Sequence, residues 1–169
     1  EPIFEAKAFK ISKQEESLSK RARDLGSKKF LNRAFKYDDE AVFPIENYND
    51  LYKEGFLGIC IPKKQGGLGA GFRGYALAAA EIGRYCGATA LTWNMHVCST
   101  LWTGILADDL KMADKIQKEH NINRNIHYKR IIKEGAIYSQ PFSEGGGGAA
   151  GATPFLTNAQ PTRNGWIVN

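Results

Sequence analysis

Cysteine is scarce and unpatterned in this chain. Its 169 residues include three cysteines, Cys60, Cys86 and Cys98, an odd number with no CxxC spacing. That excludes a disulfide framework and a cysteine-based zinc site, and it suits a reducing compartment, so a cytoplasmic location is expected. Signatures of self-contained catalysis are missing as well: the sequence has no HExxH, GxSxG, P-loop or paired-carboxylate motif. The net charge is +5, yet the basic residues are scattered among acidic ones. Lys63-Lys64 and the basic residues between Lys111 and Lys133 read as solvated helix faces, and no basic stripe marks a nucleic-acid binder. No secretory signal is visible. The chain opens at Glu1 without an initiator Met and stops inside the strand-like Trp166-Ile167-Val168-Asn169, so it reads as a fragment of a longer protein.

Charge is also absent from one long stretch. Ala88 to Ala107 carries no charged residue. Its apolar positions Leu91, Val97, Cys98, Leu101, Trp102 and Ile105 recur at roughly helical spacing. A polar stripe of Thr92, His96, Ser99 and Thr103 runs beside them at steps that share one helix face. The spacing predicts a helix buried on most sides with one uncharged polar face, whose groups need partners from protein, water or ligand. Hydroxyls bonding back to the helix's own carbonyls are the competing account. A run of this length could cross a bilayer, but the polar stripe is dense and no charged or aromatic belt frames it, so no membrane span is expected.

The rest of the chain organises itself around that stretch. Ser12-Lys13-Gln14-Glu15 fits a capping box. Leu18, Ala22 and Leu25 mark the inner face of the helix that follows; Gly26 is a candidate interruption before Phe30, Leu31, Ala34 and Phe35. Phe43-Pro44 opens another helix, with Ile45, Tyr48, Leu51 and Tyr52 on one face and Gly55 as its terminator. Phe56 to Ile61 is a short apolar segment, and Pro62 to Gly69 is rich in turn residues. Phe72 to Tyr85 is Ala-rich. From Asp108 to Glu134 the chain is polar, with a loop expected around Asn121 to Asn125. His120 and His127 are expected to be solvated there. An amphipathic piece carrying Ile126, Tyr128, Ile131 and Ile132 then ends at Gly135.

After Gly135 the texture changes from helical to strand-like. Ala136 to Pro141 is short and partly alternating; Glu144 to Gly151 is a Gly/Ala tract; Phe155-Leu156-Thr157 reads as a strand; and Arg163-Asn164-Gly165 is a hairpin-type turn into Trp166-Ile167-Val168. Residues 12–134 are therefore expected to form a helical domain and 135–169 the start of a β domain. The Gly tract could offer backbone donors to a phosphate.

The order of these segments resembles the acyl-CoA dehydrogenase family. The segments that carry the resemblance are Phe43-Pro44-x-x-x-Tyr48-x-x-Leu51, Gly55-Phe56-Leu57-Gly58-Ile59 and the loop Ile61-Pro62-Lys-Lys-Gln-Gly66-Gly67-Leu68-Gly69. Ala80-Glu81-Ile82-Gly83-Arg84, Asn94-Met95-His96, Gly135-Ala136-Ile137-Tyr138-Ser139-Gln140-Pro141 and Asn164-Gly165-Trp166-Ile167-Val168-Asn169 continue it in order.

The resemblance implies a mainly α fold: a helical bundle followed by the first strands of a truncated β domain. It implies a flavoprotein of fatty acid metabolism that uses FAD to oxidise an acyl-CoA to its 2,3-enoyl-CoA. A homotetramer is expected, with electron-transfer flavoprotein as a candidate partner. Thr92, Met95, His96 and Ser99 become expected substrate-pocket residues. Ala136, Tyr138, Ser139, Gly146 and Gly147 become expected flavin contacts. The family's strand usually reads Thr-Glu-Pro, where this chain has Ser139-Gln140-Pro141; its following Gly-Ser-Asp is replaced by the Gly tract. That departure keeps open a flavin monooxygenase of the same fold, using FMN supplied by a flavin reductase. A non-catalytic helical interaction module is the alternative from another class. The family's base glutamate has no counterpart within these residues, so no catalytic residue is assigned.

Overall fold

A computed structural model describes residues 10–139 and 156–169. They divide into two units, one running through Tyr138 and the other from Ser139 onward.

The first unit is helical. Helix α1 (Lys13–Leu25) starts on the expected capping box: the Ser12 hydroxyl accepts the Glu15 N–H, and the Glu15 carboxylate accepts the Ser12 N–H at 2.7 Å. Leu18, Ala22 and Leu25 are buried along it. Gly26 does not interrupt the helix. The chain passes through one π turn (Gly26–Phe30) directly into α2 (Leu31–Asp39). Gly26 instead serves close packing, since a Cβ there would meet the Tyr85 ring at 2.2 Å. Phe30 is buried, whereas Leu31 and Phe35 of α2 are exposed.

Helix α3 (Ile45–Lys53) begins after Pro44 and buries Tyr48 and Leu51; Ile45 faces outward, contrary to the periodic reading. Gly55, at φ 75, ends the helix in the left-handed region where glycine carries no Cβ penalty. A 3-10 turn (Phe56–Gly58) follows, with Ile59, Cys60 and Ile61 fully buried behind it. The turn-rich loop then folds back on this segment: Leu68 N–H donates to Gly58 O, and Ala70 N–H to Ile59 O. Gly67 lies so close to this segment that a Cβ would fall 2.1 Å from Ile61 O. That approach explains the glycine in the Ile-Pro loop without any appeal to unusual φ.

Helix α4 (Phe72–Gly83) packs along α1, where Gly74 faces Leu18 and the Glu15 stem. Helix α5 (Gly87–Thr103) runs through the centre of the unit. It ends at Thr103, four residues before the end of the expected stretch, and after Gly104 a short α6 (Ile105–Asp108) follows. Helix α7 (Asp114–Glu134) is continuous, so the loop expected at Asn121 to Asn125 is absent. Asparagine is only mildly unfavourable inside a helix, and here Asn125 accepts from Gln65 at 2.8 Å while the neighbouring Arg124 is buried. Of the amphipathic piece, Tyr128 and Ile131 are buried and Ile126 is exposed.

The second unit contains an exposed antiparallel hairpin, β1 (Ala159–Thr162) with β2 (Gly165–Val168). Its register pairs Ala159 with Val168 and Thr162 with Gly165 across the expected turn. Leu156 and Thr157 precede the strand rather than forming it, and Phe155 lies outside the described residues. Ala136 to Ser139 carries no strand pairing; Gln140 and Pro141 lie outside the described residues. The chain is thus mainly α, a helical bundle followed by a first pair of strands.

Candidate functional site

The face that α5 buries follows its apolar spacing only at Val97 and Leu101. Thr89, Trp93, His96, Val97, Thr100 and Leu101 are buried. Leu91 and Trp102 are each 65% exposed, so the helix is not enclosed on most sides. At 3.6 residues per turn, Leu91 and Trp93 point about 160° apart. One of two large apolar residues must therefore face out, and the indole goes inside because it also finds a polar partner.

That partner is the 3-10 turn. Trp93 Nε1–H donates to Phe56 O at 3.2 Å, and His96 Nε2 lies 2.9 Å from Leu57 O. A carbonyl only accepts, so His96 carries its proton on Nε2. Its Nδ1 is then the acceptor for Tyr138 N–H at 3.0 Å. Both ring nitrogens are engaged and the ring is fully buried. Burial pushes the His96 pKa below its ordinary 6.5, although the bond to Leu57 opposes this. A neutral imidazole is what both hydrogen bonds require.

The hydroxyls of α5 follow the competing account. Thr92 donates to Ala88 O at 2.8 Å and Thr103 to Ser99 O at 2.8 Å, both four residues back. Thr92 and Ser99 are half-buried at the border between the two faces, and Met95 is 37% exposed beside Leu91. Of the expected pocket residues, Thr92, Met95 and Ser99 thus sit at or outside the border. His96 does not: it belongs to the core.

Next to this border lies a cleft of about 220 Å³, lined by Ser99, Thr100, Thr103, Arg124, His127, Tyr128, Ile131 and Tyr138. Its floor is polar at one end. Tyr128 and Thr103 exchange a hydroxyl bond of 3.0 Å, and burial raises the Tyr128 pKa. Arg124 donates to Thr103 O at 2.9 Å and pairs with Asp108 at 2.6 Å, while His120 also contacts Thr103 O at 3.2 Å. Arg124 and His120 thus give partners to the Thr103 carbonyl at the end of α5, where a helix leaves its last carbonyls without intrahelical bonds. His120 and His127 are therefore bonded rather than simply solvated: His127 Nδ1 lies 2.8 Å from the Tyr138 hydroxyl.

Arg124 escaped the sequence reading, and Tyr128 entered it only as an amphipathic core position. His120, Arg124, His127, Tyr128 and Ile131 fall on one helix face. The signal was present, but the loop assumed at Asn121 to Asn125 cut that face in two.

The expected flavin contacts divide. Ala136 and Tyr138 are half-buried, and their backbone N–H groups are already used, by Arg130 O and by His96. Ser139 is exposed. Gly146 and Gly147 lie outside the described residues. Among the described residues no group of three or more His, Cys, Asp or Glu is placed to hold a metal, and no helix is long and apolar enough to cross a membrane.

Fold and site together define a helical domain whose central helix keeps one apolar edge open beside a small cleft. A sequence profile of the acyl-CoA dehydrogenase N-terminal domain matches residues 12–124. The chain belongs to the acyl-CoA dehydrogenase family. It is 28% identical over 162 residues to an acryloyl-CoA reductase (NADH) from Anaerotignum propionicum, covering 95% of this chain and 38% of that protein. It is 28% identical over 163 residues to the human mitochondrial short-chain specific acyl-CoA dehydrogenase, covering 96% of this chain and 36% of that protein. A 3-(aryl)acrylate reductase from Clostridium sporogenes is 35% identical over 81 residues, 48% of this chain and 22% of that protein. The chain thus spans well under half the length of these relatives.

Proposed function

We propose that residues 12–134 are the N-terminal helical domain, and 135–169 the start of the β domain, of a flavin-dependent oxidoreductase. In the full-length protein it oxidises an acyl-CoA thioester to the 2,3-enoyl-CoA. The observation that carries this reading is the open edge of α5, where Met95, Thr92 and Ser99 border exposed Leu91 in the stretch matched by the family profile. In this reading that edge walls the acyl chain and excludes water. His96 takes no direct part, because neither ring nitrogen is available to a ligand.

The residues after Gly135 fit a flavin in a restricted way. Ser139 offers an exposed hydroxyl at a point where the preceding residue is held in place. Ala136 and Tyr138 spend their N–H groups inside the helical unit, so their role is to place Ser139 rather than to donate. Gly146 and Gly147 are proposed backbone donors to FAD. When bound, the flavin supplies the two-electron acceptor. The proton acceptor is assigned to no residue of this chain. A homo-oligomer and an electron-carrier partner complete the proposal.

Reduction of a conjugated acyl compound is the second reading, favoured because two of the relatives above are named as reductases. Those names also favour acyl chemistry over oxygenation and over a non-catalytic module. The test is anaerobic titration of the full-length protein, followed by flavin absorbance. Bleaching by a saturated short-chain acyl-CoA supports dehydrogenation. A protein that bleaches only with a reduced nicotinamide, and recovers its colour with an enoyl-CoA, works as a reductase. A colourless full-length protein that binds no added FAD would refute both.

A further inference from the structure

His96 ties together three separated pieces of the helical unit. It sits on α5, donates to the turn at Leu57 and accepts from the backbone at Tyr138. The last bond is unusual in its purpose. Tyr138 follows the αL glycine Gly135, which reverses the chain at the end of α7, and it belongs to no strand. Its N–H therefore has no ladder carbonyl to bond. A half-buried N–H without a partner is costly, and among the described residues its acceptor is an imidazole nitrogen whose tautomer is set from the other side of the ring. The Tyr138 side chain is held too. Its hydroxyl meets His127 Nδ1, and the two rings meet edge to face with centroids 5.5 Å apart. Backbone and side chain of one residue are thus fixed by two histidines, one from α5 and one from α7.

We propose that His96 is a positioning residue: through Nδ1 it fixes the Tyr138 backbone at the point where the chain leaves the helical unit, and so sets where Ser139 begins. The Ser139 Cα is only about 3.8 Å further along the chain, one trans peptide away. Only the consequence for flavin rests on the function proposed above; the clamp itself is a property of these residues alone. Leu57 O acts as the tautomer selector, because losing it would let the proton move to Nδ1 and turn an attraction for the Tyr138 N–H into a repulsion.

Two conservative replacements separate the two halves of the clamp. In His96→Asn the side-chain oxygen falls where Nδ1 was, keeping the acceptor for Tyr138 and losing the donor to Leu57. In His96→Gln the amide reaches the Nε2 position, keeping Leu57 and losing Tyr138. The readout is hydrogen exchange of the Tyr138 amide in the 169-residue chain. His96→Gln is expected to exchange there roughly tenfold faster, the equivalent of one net hydrogen bond, while His96→Asn stays near the parent rate. Equal exchange in the two variants would overturn the proposal. If neither variant folds, the unmutated chain still decides: long-range nitrogen–proton spectra of its histidines must show His96 protonated on Nε2 alone. A proton on Nδ1, or a doubly protonated ring near neutral pH, would sink it. In the full-length protein, His96→Gln should shift the flavin absorption band and His96→Asn should not. A clamp confirmed by exchange in a protein that binds no flavin would leave the clamp standing and remove the flavin reading.

Discussion

Two faces of α5 each carry a tryptophan and do opposite things. The inner face, with Thr89, Trp93, His96 and Thr100, is wholly buried, and each of these side chains has a polar partner. The outer edge, with Leu91, Met95 and Trp102, is apolar and open. Hydrophobicity alone does not separate the faces, because Thr89, His96 and Thr100 sit inside with Trp93, Val97 and Leu101 while Leu91 and Trp102 sit outside. What decides is the turn at Phe56–Gly58. Phe56 O already accepts the Ile59 N–H and has room for a second donor, whereas Leu57 O relies on the helix packed against the turn. Trp93 and His96, one helical turn apart, supply donors to these adjacent carbonyls.

The sharpest way to break this comparison is to truncate one indole from each face. Trp93→Ala should lower unfolding free energy by about 3–5 kcal/mol, because it opens a cavity in the core and removes the indole donor to Phe56 O. Trp102→Ala should stay within about 0.5 kcal/mol, as exposed substitutions usually do. Denaturant midpoints measure both. Comparable losses at the two positions would show that the outer edge is not open.

A smaller effect tests the polar half of the inner face. Asn47, fully buried, donates to the Thr89 hydroxyl at 2.8 Å and accepts from Arg33 at 2.9 Å. Thr89→Val keeps the shape and removes the acceptor. It should cost about 1–3 kcal/mol, the range for leaving a buried donor unpaired. A neutral result would mean that the Asn47 amide finds another partner.

How much of this was legible in the sequence depends on whether the deciding contact is local. The capping box, the Gly55 and Gly135 stops and the Arg163-Asn164 turn are set within a few residues, and each is where the sequence places it. Gly26 and the Asn121–Asn125 stretch misled because glycine and asparagine look like breakers. Their real reasons, the Tyr85 ring and the Gln65 amide, lie about 60 residues away in the chain. The polar stripe on α5 was visible, but its composition could not say that His96 turns inward to a carbonyl at Leu57 while Met95 turns out. His96 accordingly lies in the core with both ring nitrogens engaged. The family order of motifs was legible throughout, because it survives errors in any single element.

Acidification gives a third, gentler test of the inner face. The folded-state pKa of His96 lies below its ordinary 6.5, so the unfolded chain binds the proton more readily. The stability contribution is complete above pH 6.5 and is lost as pH falls from there toward the folded value. Unfolding midpoints measured between pH 7.5 and 5 should fall with a steeper slope in the parent chain than in His96→Asn. Parallel slopes would mean that His96 titrates normally and is not held neutral.

The smallest stability effect is expected at the outer edge, and it carries the most functional weight. Met95 is exposed enough that little packing depends on it, and it sits between Thr92 and Ser99 at the border of the buried face. Met95→Ala should leave the unfolding midpoint of the 169-residue chain within about 0.5 kcal/mol of the parent, the usual range for an exposed position. In the full-length protein the same change should raise KM for a short-chain acyl-CoA. It removes apolar contact made equally in ground and transition states, and such a loss appears in KM more than in kcat. Thermal unfolding and steady-state kinetics on the one variant therefore read two different properties of the same surface. Loss of stability with no change in KM would return this edge to the core and take the acyl wall with it. A raised KM with unchanged stability would show that α5 holds its structure on one face and its ligand on the other.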